Sequence, residues 1–343
     1  MRKFNAENER IKREYLIYLR EAKGQDESSL DKVAAALLGF EEAIGFKPFK
    51  AFRREWASKY KTYMKRRKNA RTGKSLGVTT RDASLRLVKA FVEWLSTQAG
   101  YRTRITYSDA AYFNNNAREA RAAHAQRPVA YPSIEQCDHA FRQMPENDVF
   151  ARRDKAVFAL LMLTSARDGA VASLRLGHID LVERVLYQDG REVKTKNGKY
   201  IESNFLPVNP MYRSCLERWV TYLRKDLMFG PADALFPKAE MGTPTGKFAV
   251  AGLSREPYAN GQKINQIFKS AFLSAGMRSF SAHTLRKTHA MLMDKICDTM
   301  EDRKAFSQNM GHEHLATTIS AYMPVTLERQ REIIRNLGEK GEQ

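Results

Sequence analysis

LLMLTSARDGAVASLRLGHIDL, residues 160–181, is the stretch on which the reading of this chain turns. An unbroken apolar run to Leu163 reads as the end of a buried helix. Thr164-Ser165 breaks it, and Arg167 stands at the mouth of the break. A second amphipathic helix then begins. An arginine in such a turn is either a solvated cap or an anion ligand, and this segment alone does not choose between them. Upstream, the spacing predicts helices over 133–143 and 148–164. Downstream, two strand-like runs, RVLYQ and YIESNFLPV, flank the turn-rich DGREVKTKNGK within residues 184–208, predicting a hairpin or small antiparallel sheet. A Gly/Pro-rich stretch, 230–262, gives way to helices that run to the end. In SAHTLRKTHAMLM (281–293), His283 and Arg286 fall at i, i+3 on one face of a helix start. Free N–H groups and the helix dipole favour phosphate there. NMGHEHLATTISAYMPV (309–325) supplies His312, then Tyr322 ten residues on, then Pro324.

The first third reads differently. Residues 8–22 place Ile11, Tyr15, Tyr18 and Leu19 at helical spacing, and 30–44 repeat the pattern. Residues 49–68 carry Phe52, Trp56, Tyr60 and Tyr63 as one stripe of a helix that ends in the charge run KRRKNARTGK. Residues 79–99 open on a Thr-Thr-Arg-Asp cap signal and stop at Gly100. Four such helices form one small bundle. The polar, Ala- and Arg-rich segment 114–132 breaks at Pro128 and Pro132 and marks a linker. The organisation expected is a helical domain over 1–127, a linker over 128–132, and a larger α+β domain with a helical tail over 133–343. The fold class is mainly α with a small antiparallel β-sheet.

Charge points to the partner. Lys and Arg number 58 against 39 Asp and Glu, a net of +19. Residues 1–127 hold 28 basic and 14 acidic residues, or +14, and the remainder only +5. A polyanion contacted mainly by the N-terminal domain follows, with nucleic acid preferred over a membrane because the basic residues run through several segments. The densest cluster is Lys61, Lys65, Arg66, Arg67, Lys68, Arg71 and Lys74. With i, i+4, i+7 spacing, its first and later members share a helix face while Trp56, Tyr60 and Tyr63 pack inward. These seven are the candidate DNA contacts.

Other classes are set aside. With 43% hydrophobic residues the chain is not disordered throughout, and no stretch reaches the roughly 18 apolar residues of a membrane helix. The charged N-terminus lacks a secretory h-region. Cys137, Cys215 and Cys297 form neither a disulfide framework nor a zinc pattern and fit a reducing cytoplasm. GTPTGK (242–247) has three residues between its glycines where a P-loop has four, and Phe248 replaces the Mg²⁺-binding hydroxyl residue. His312-Glu313-His314 lacks the spacing that aims two imidazoles at one metal. No metal and no cofactor is expected.

In order, Arg167, Lys196 on the hairpin turn, His283-x-x-Arg286, Gly311-His312 and Tyr322 resemble the tyrosine recombinase (phage integrase) family. The similarity spans the domain from about residue 130, and the N-terminal bundle resembles that family's core-binding domain in texture. The resemblance implies a clamp on duplex DNA at specific recombination sites. It also implies strand cutting and rejoining through a covalent 3′-phosphotyrosyl intermediate with Tyr322 as nucleophile. Two departures stand out. The family step from this histidine to the tyrosine is usually nine residues, and the position three after the first arginine, often acidic, is Ala170. Asp168 is the alternative support. Type IB topoisomerases use a similar set but usually place their tyrosine in a Ser-Lys-x-x-Tyr run, whereas Thr-Ile-Ser-Ala precedes Tyr322. A silent DNA-binding relative would be expected to have lost one of these groups.

The residue types suit the chemistry. Tyrosine, with a pKa near 10, needs its proton taken or steered, and His283 is placed for that. Arg167 and Arg286 can each fork two donors onto phosphate oxygens, and His312 can add another. A lysine on a hairpin tip suits protonation of the departing 5′-oxygen. Chemistry does not separate Lys194, Lys196 and Lys199, and the resemblance favours Lys196. Neither metal nor ATP is required, since the phosphotyrosine bond conserves the energy of the broken one. The family resemblance also implies a monomer in the free state, a homotetramer on DNA, and a location in the cytoplasm at the nucleoid. A short stripe in the tail, Ile333, Ile334 and Leu337, would dock on its own domain or on a neighbouring protomer.

Overall fold

The computed structural model describes residues 4–70, 72–125, 129–242, 249–322, 330–332 and 334–335. The chain divides into two compact units, residues 1–128 and 129–343. Among the described residues, no helix is long and apolar enough to cross a membrane.

The first unit is built from α1 (Ala6–Glu21), α2 (Glu27–Ile44), α3 (Glu55–Arg66), α4 (Val78–Leu95) and α5 (Ala117–His124). Asn5 and Asp26 cap α1 and α2 by accepting from the backbone N–H of Asn8 and Ser29. The apolar faces meet in an aromatic core. Phe40 stands edge-on to Tyr60 and Phe113, with centroids 5.5 and 5.4 Å away. The helix expected over 49–68 starts only at Glu55. Pro48 leads into a 3₁₀ turn, Phe49–Ala51, so Phe52 precedes the helix while its ring still meets Trp56 at 5.9 Å. The Thr-Thr-Arg-Asp signal lies inside α4, whose N-cap is Gly77 with no side-chain cap. The 114–132 segment is not all linker. Asn116 caps α5, Ala123 is buried, and Thr79 donates to its carbonyl at 3.2 Å.

The second unit is organised around one helix. It contains α6 (Ile134–Gln143), α7 (Val149–Thr164), α8 (Asp168–Ser173), α9 (Pro210–Lys225), α10 (Gln262–Ser274), α11 (Ala282–Ile296), α12 (Met300–Asn309) and α13 (Leu315–Tyr322). Every residue of α7 from Lys155 to Thr164 is buried, as a helix that is apolar all round requires. Phe158 of α7 stacks on Phe268 of α10 with centroids 4.9 Å apart. Strands β1 (Ile179–Asp180), β2 (Val185–Gln188) and β3 (Ile201–Asn204) form an antiparallel sheet, with Ile179 opposite Leu186 and Leu186 opposite Ser203. The Gly/Pro-rich stretch holds a second antiparallel pair, β4 (Ala239–Gly242) with β5 (Ala249–Leu253). Those runs are short and do not alternate, so no strand was expected there.

Gly311 follows α12 with φ +75, and a Cβ there would lie 2.7 Å from Ile201 Cδ1 on β3. Gly311→Ala is therefore expected to destabilise the protein by about 1–2 kcal/mol, read as a lower thermal midpoint by circular dichroism. An unchanged midpoint would mean that the turn before His312 tolerates a side chain.

Candidate active site

The break after α7 is the first element of the site. Ser165 takes the left-handed conformation (φ +55) that ends the helix, and Arg167 becomes the N-cap residue of α8. The turn also aims the carbonyl of Ser165 inward, where it accepts from Nη1 of Arg286 at 2.6 Å. Arg286, one turn into α11, is only 2% exposed. Its Nη2 donates to the Met310 carbonyl at 2.6 Å and lies 2.7 Å from His312 Nε2. A guanidinium can only donate, so His312 Nε2 accepts and the ring proton sits on Nδ1. From there it is donated to Thr318 Oγ1 at 2.7 Å, and Thr318 in turn lies 2.6 Å from Ser307 Oγ.

The electrostatics agree with a neutral imidazole. Burial first, then the charges of Arg286, Arg167 and Lys196, push the His312 pKa down to about 4. His283 keeps an exposed edge, but loss of water is still the first cause of its lowered pKa. Arg286, Arg167 and Lys196 lower it further, and Asp168 opposes them. The charges of Arg167, Lys196 and Arg286 therefore reach both His283 and His312, which gathers the five at a single site. Ala170 is buried in the core at 1% exposure, and the carboxylate acting on His283 is that of Asp168.

The three lysines of the hairpin now separate. Lys194 donates to the Ala259 carbonyl at 2.7 Å, and Lys199 pairs with Glu313. Lys196 opens the 3₁₀ turn Lys196–Gly198, is exposed, and is the one whose charge reaches both histidines. Positive φ at Asn197 and Gly198 makes this turn. Several residues that the sequence did not flag hold it in place. Ser173 Oγ on α8 accepts from the Lys194 N–H at 2.9 Å, and His178 Nε2 donates to Glu192 at 2.8 Å. The backbone of Gly198 occupies the space where a Cβ of Gly190 would stand. These partners are 8 to 21 residues apart in irregular segments, where no periodicity reveals them.

In the run His312-Glu313-His314, Glu313 pairs with Lys199, and His312 engages Arg286 and Thr318. Tyr322 ends α13, an uninterrupted helix from Leu315, so the ten-residue step from His312 is a short turn followed by two helical turns. The structure describes the backbone of Tyr322, and its side chain lies outside the described atoms, as do the tail residues Ile333 and Leu337. Ile334 is 63% exposed.

In the first unit the basic cluster does not form the single face that its spacing implied. Lys61 donates to the Asn114 carbonyl at 2.6 Å, and Lys65 pairs with Glu119 at 3.0 Å, both reaching toward α5. Arg67 lies over Tyr63 and beside Gly39 of α2. Helix α3 ends at Arg66, so Lys68 at i+7 is on an extended segment bridged to Ser75. Arg66, Lys68 and Lys74 are exposed; Arg71 lies outside the described residues.

Residues 135–329 match the model of the phage integrase family, and the chain belongs to that family. It is 25% identical over 190 residues to tyrosine recombinase XerC of Pseudomonas putida (strain W619), covering 54% of each protein. The chain thus spans about half the length of the curated relatives it matches. Among solved structures, it resembles a lambda integrase (75–356) dimer bound to a COC′ core site, with a TM-score of 0.61 and 14% identity over 92% of this chain and 95% of that one. It also resembles a lambda integrase tetramer bound to a Holliday junction, with a TM-score of 0.59 and 13% identity over 90% and 80%. The fold is that of the tyrosine recombinases: a helical N-terminal domain and a mainly helical catalytic-type domain with small antiparallel sheets.

His289, one turn beyond Arg286 on α11, is fully buried, and burial followed by the Arg286 charge brings its pKa down to about 3. It stays neutral when folded and takes up a proton on unfolding between about pH 3 and pH 6.5. Stability is therefore fully present above pH 6.5 and falls as pH drops, by about 1.4 kcal/mol per pH unit for each such proton. Denaturant titrations of His289→Leu should show a shallower decline between pH 6.5 and pH 4 than the parent; equal slopes would remove His289 as a source of the acid sensitivity.

Proposed function

We propose that this protein is a site-specific DNA recombinase that cuts and rejoins duplex DNA through a 3′-phosphotyrosyl intermediate on Tyr322. One observation carries this reading: Arg167, Lys196, His283, Arg286 and His312 share a site beside the helix that ends in Tyr322. The carboxylate of Asp168 acts on His283 there. Positive charge gathered at one site suits a phosphate anion. The two arginines bind its non-bridging oxygens and gain strength as negative charge builds on the pentacoordinate phosphorus. His283, neutral because its pKa is lowered, accepts the tyrosine proton as the phenolic oxygen bonds to phosphorus. The bond to the 5′-oxygen breaks, and Lys196 supplies the proton that oxygen needs. Attack by a 5′-hydroxyl of the partner strand reverses these steps and releases Tyr322.

Duplex DNA as substrate is supported by the +14 charge of residues 1–127 and by a fold shared with integrases solved on DNA. We propose a homotetramer as the active assembly on DNA, by analogy with the lambda integrase tetramer on its junction, and a monomer when free. The reaction needs neither metal nor ATP. Residues 1–127 act as the core-binding domain and 133–343 as the catalytic domain.

The test uses duplexes selected by binding from a randomised library and then nicked to trap the covalent complex. The parent should form an SDS-resistant adduct whose tryptic peptide carries the nucleotide on Tyr322. Tyr322→Phe should bind and form none. Arg167→Lys and Arg286→Lys should lose about 100-fold or more in adduct rate, since a point charge does not replace a fork of donors. Lys196→Ala should lose cleavage where Lys194→Ala and Lys199→Ala retain it. An adduct in the Phe variant would place the nucleophile elsewhere.

Salt dependence tests the first unit. Arg66→Gln, Lys68→Gln and Lys74→Gln should each flatten the slope of log affinity against log salt by about 0.9. Lys61→Gln and Lys65→Gln, whose ammonium groups are engaged within the protein, should leave it nearly unchanged. A slope that none of the five alters would take this cluster off the DNA.

A further inference from the structure

Thr318 lies on α13 four residues before Tyr322, one helical turn away, and its side chain is completely buried. Its hydroxyl accepts the Nδ1 proton of His312 and stands 2.6 Å from Ser307 Oγ on α12. The other ring nitrogen of His312 receives Arg286. A continuous polar line thus runs from the guanidinium on α11, through the imidazole, to the tyrosine helix and on to α12. We propose that the Thr318 hydroxyl, backed by Ser307, is a positioning residue that fixes the ring orientation of His312 and ties the tyrosine helix to the phosphate-binding cations. This rests on the function proposed above and adds to it a residue that does not touch the phosphate.

Three physical points support the assignment. A buried imidazole bonded at both nitrogens has one ring orientation, and the loss of either partner frees it to turn over. A hydroxyl both donates and accepts, so Thr318 stays bonded to Nδ1 in either tautomer or in the imidazolium. When a phosphate oxygen takes the place of Arg286 at Nε2, that nitrogen must carry a proton to donate. Thr318 keeps the ring in place through that exchange. A β-branched residue in a helix also holds its hydroxyl in few rotamers, which a serine does less well.

The experiment uses the full chain and two readouts. In the free protein, ¹⁵N resonances of the His312 ring, assigned by their loss in His312→Asn, should show a protonated Nδ1. In Thr318→Val, which keeps the shape without the hydroxyl, the ring should no longer hold one orientation, and its ¹⁵N signals should broaden or double. On the selected nicked duplex, Thr318→Val should form adduct about 10-fold more slowly at unchanged DNA affinity, and Thr318→Ser should recover most of the rate. In the His312→Asn background, Thr318→Val should add no further loss. Ser307→Ala, expected to slow the adduct a few-fold, serves if the Val variant does not fold. Parent-like rates in Thr318→Val, or losses that multiply with His312→Asn, would overturn the proposal. A parent that binds the duplex without forming adduct would instead overturn the recombinase reading and leave only the ring readout standing.

Discussion

A guanidinium taken almost wholly out of water must find an acceptor for each N–H and something to offset its charge, and in this protein Arg286 is placed under that constraint. Its acceptors include the carbonyl of Ser165 at the end of α7, the carbonyl of Met310 after α12, and the Nε2 lone pair of His312. Carbonyl and imidazole dipoles satisfy these donors, and a dipole, unlike a carboxylate, carries no net charge of its own. Much of the local architecture serves this one group. The left-handed Ser165 turns its carbonyl inward, and the left-handed Gly311 brings His312 back toward α11 by passing close over Ile201.

The same field sets the state of the two histidines. Each lies among arginines and Lys196, and each is pushed toward neutrality by burial and by those charges together. A neutral imidazole beside a cation can accept a hydrogen bond, as His312 does from Arg286, or a proton, as proposed for His283. Bound phosphate would reverse the sign of the local potential. The groups that are hardest to protonate in the free protein would then become easier to protonate in the complex, which under the proposed function would link chemistry to occupancy of the site.

The two units depend on charge in different ways. In the catalytic-type unit a few cations are held at fixed points by buried partners. In the N-terminal unit positive charge is spread over helix surfaces, and part of it is spent on internal structure. Lys61 and Lys65 brace the segment around α5, and Arg67 lies against Tyr63. A run of basic residues is thus not uniformly a binding surface, because a long side chain also has a stem to pack and a head to pair.

Local chemistry made much of this legible from the residues in order. The helix break at Thr164-Ser165, the hairpin between RVLYQ and YIESNFLPV, and the succession Arg167, Lys196, His283, Arg286, His312 and Tyr322 are properties of neighbouring residues, and neighbours are what a sequence displays. The start of α3 was misjudged because Pro48 and a 3₁₀ turn interrupt an aromatic spacing that otherwise runs on, and the β4–β5 pair was missed because its strands are short and do not alternate. Only the tertiary structure decided which of three lysines has a charge that reaches both histidines, which basic residues of the first unit are engaged at home, that Thr318 bonds His312 and Ser307, and that Ser173, His178 and Glu192 brace the hairpin. Those choices depend on distances between segments far apart in the chain. A hydroxyl or an imidazole in a sequence looks the same whether it faces water or closes a buried hydrogen bond.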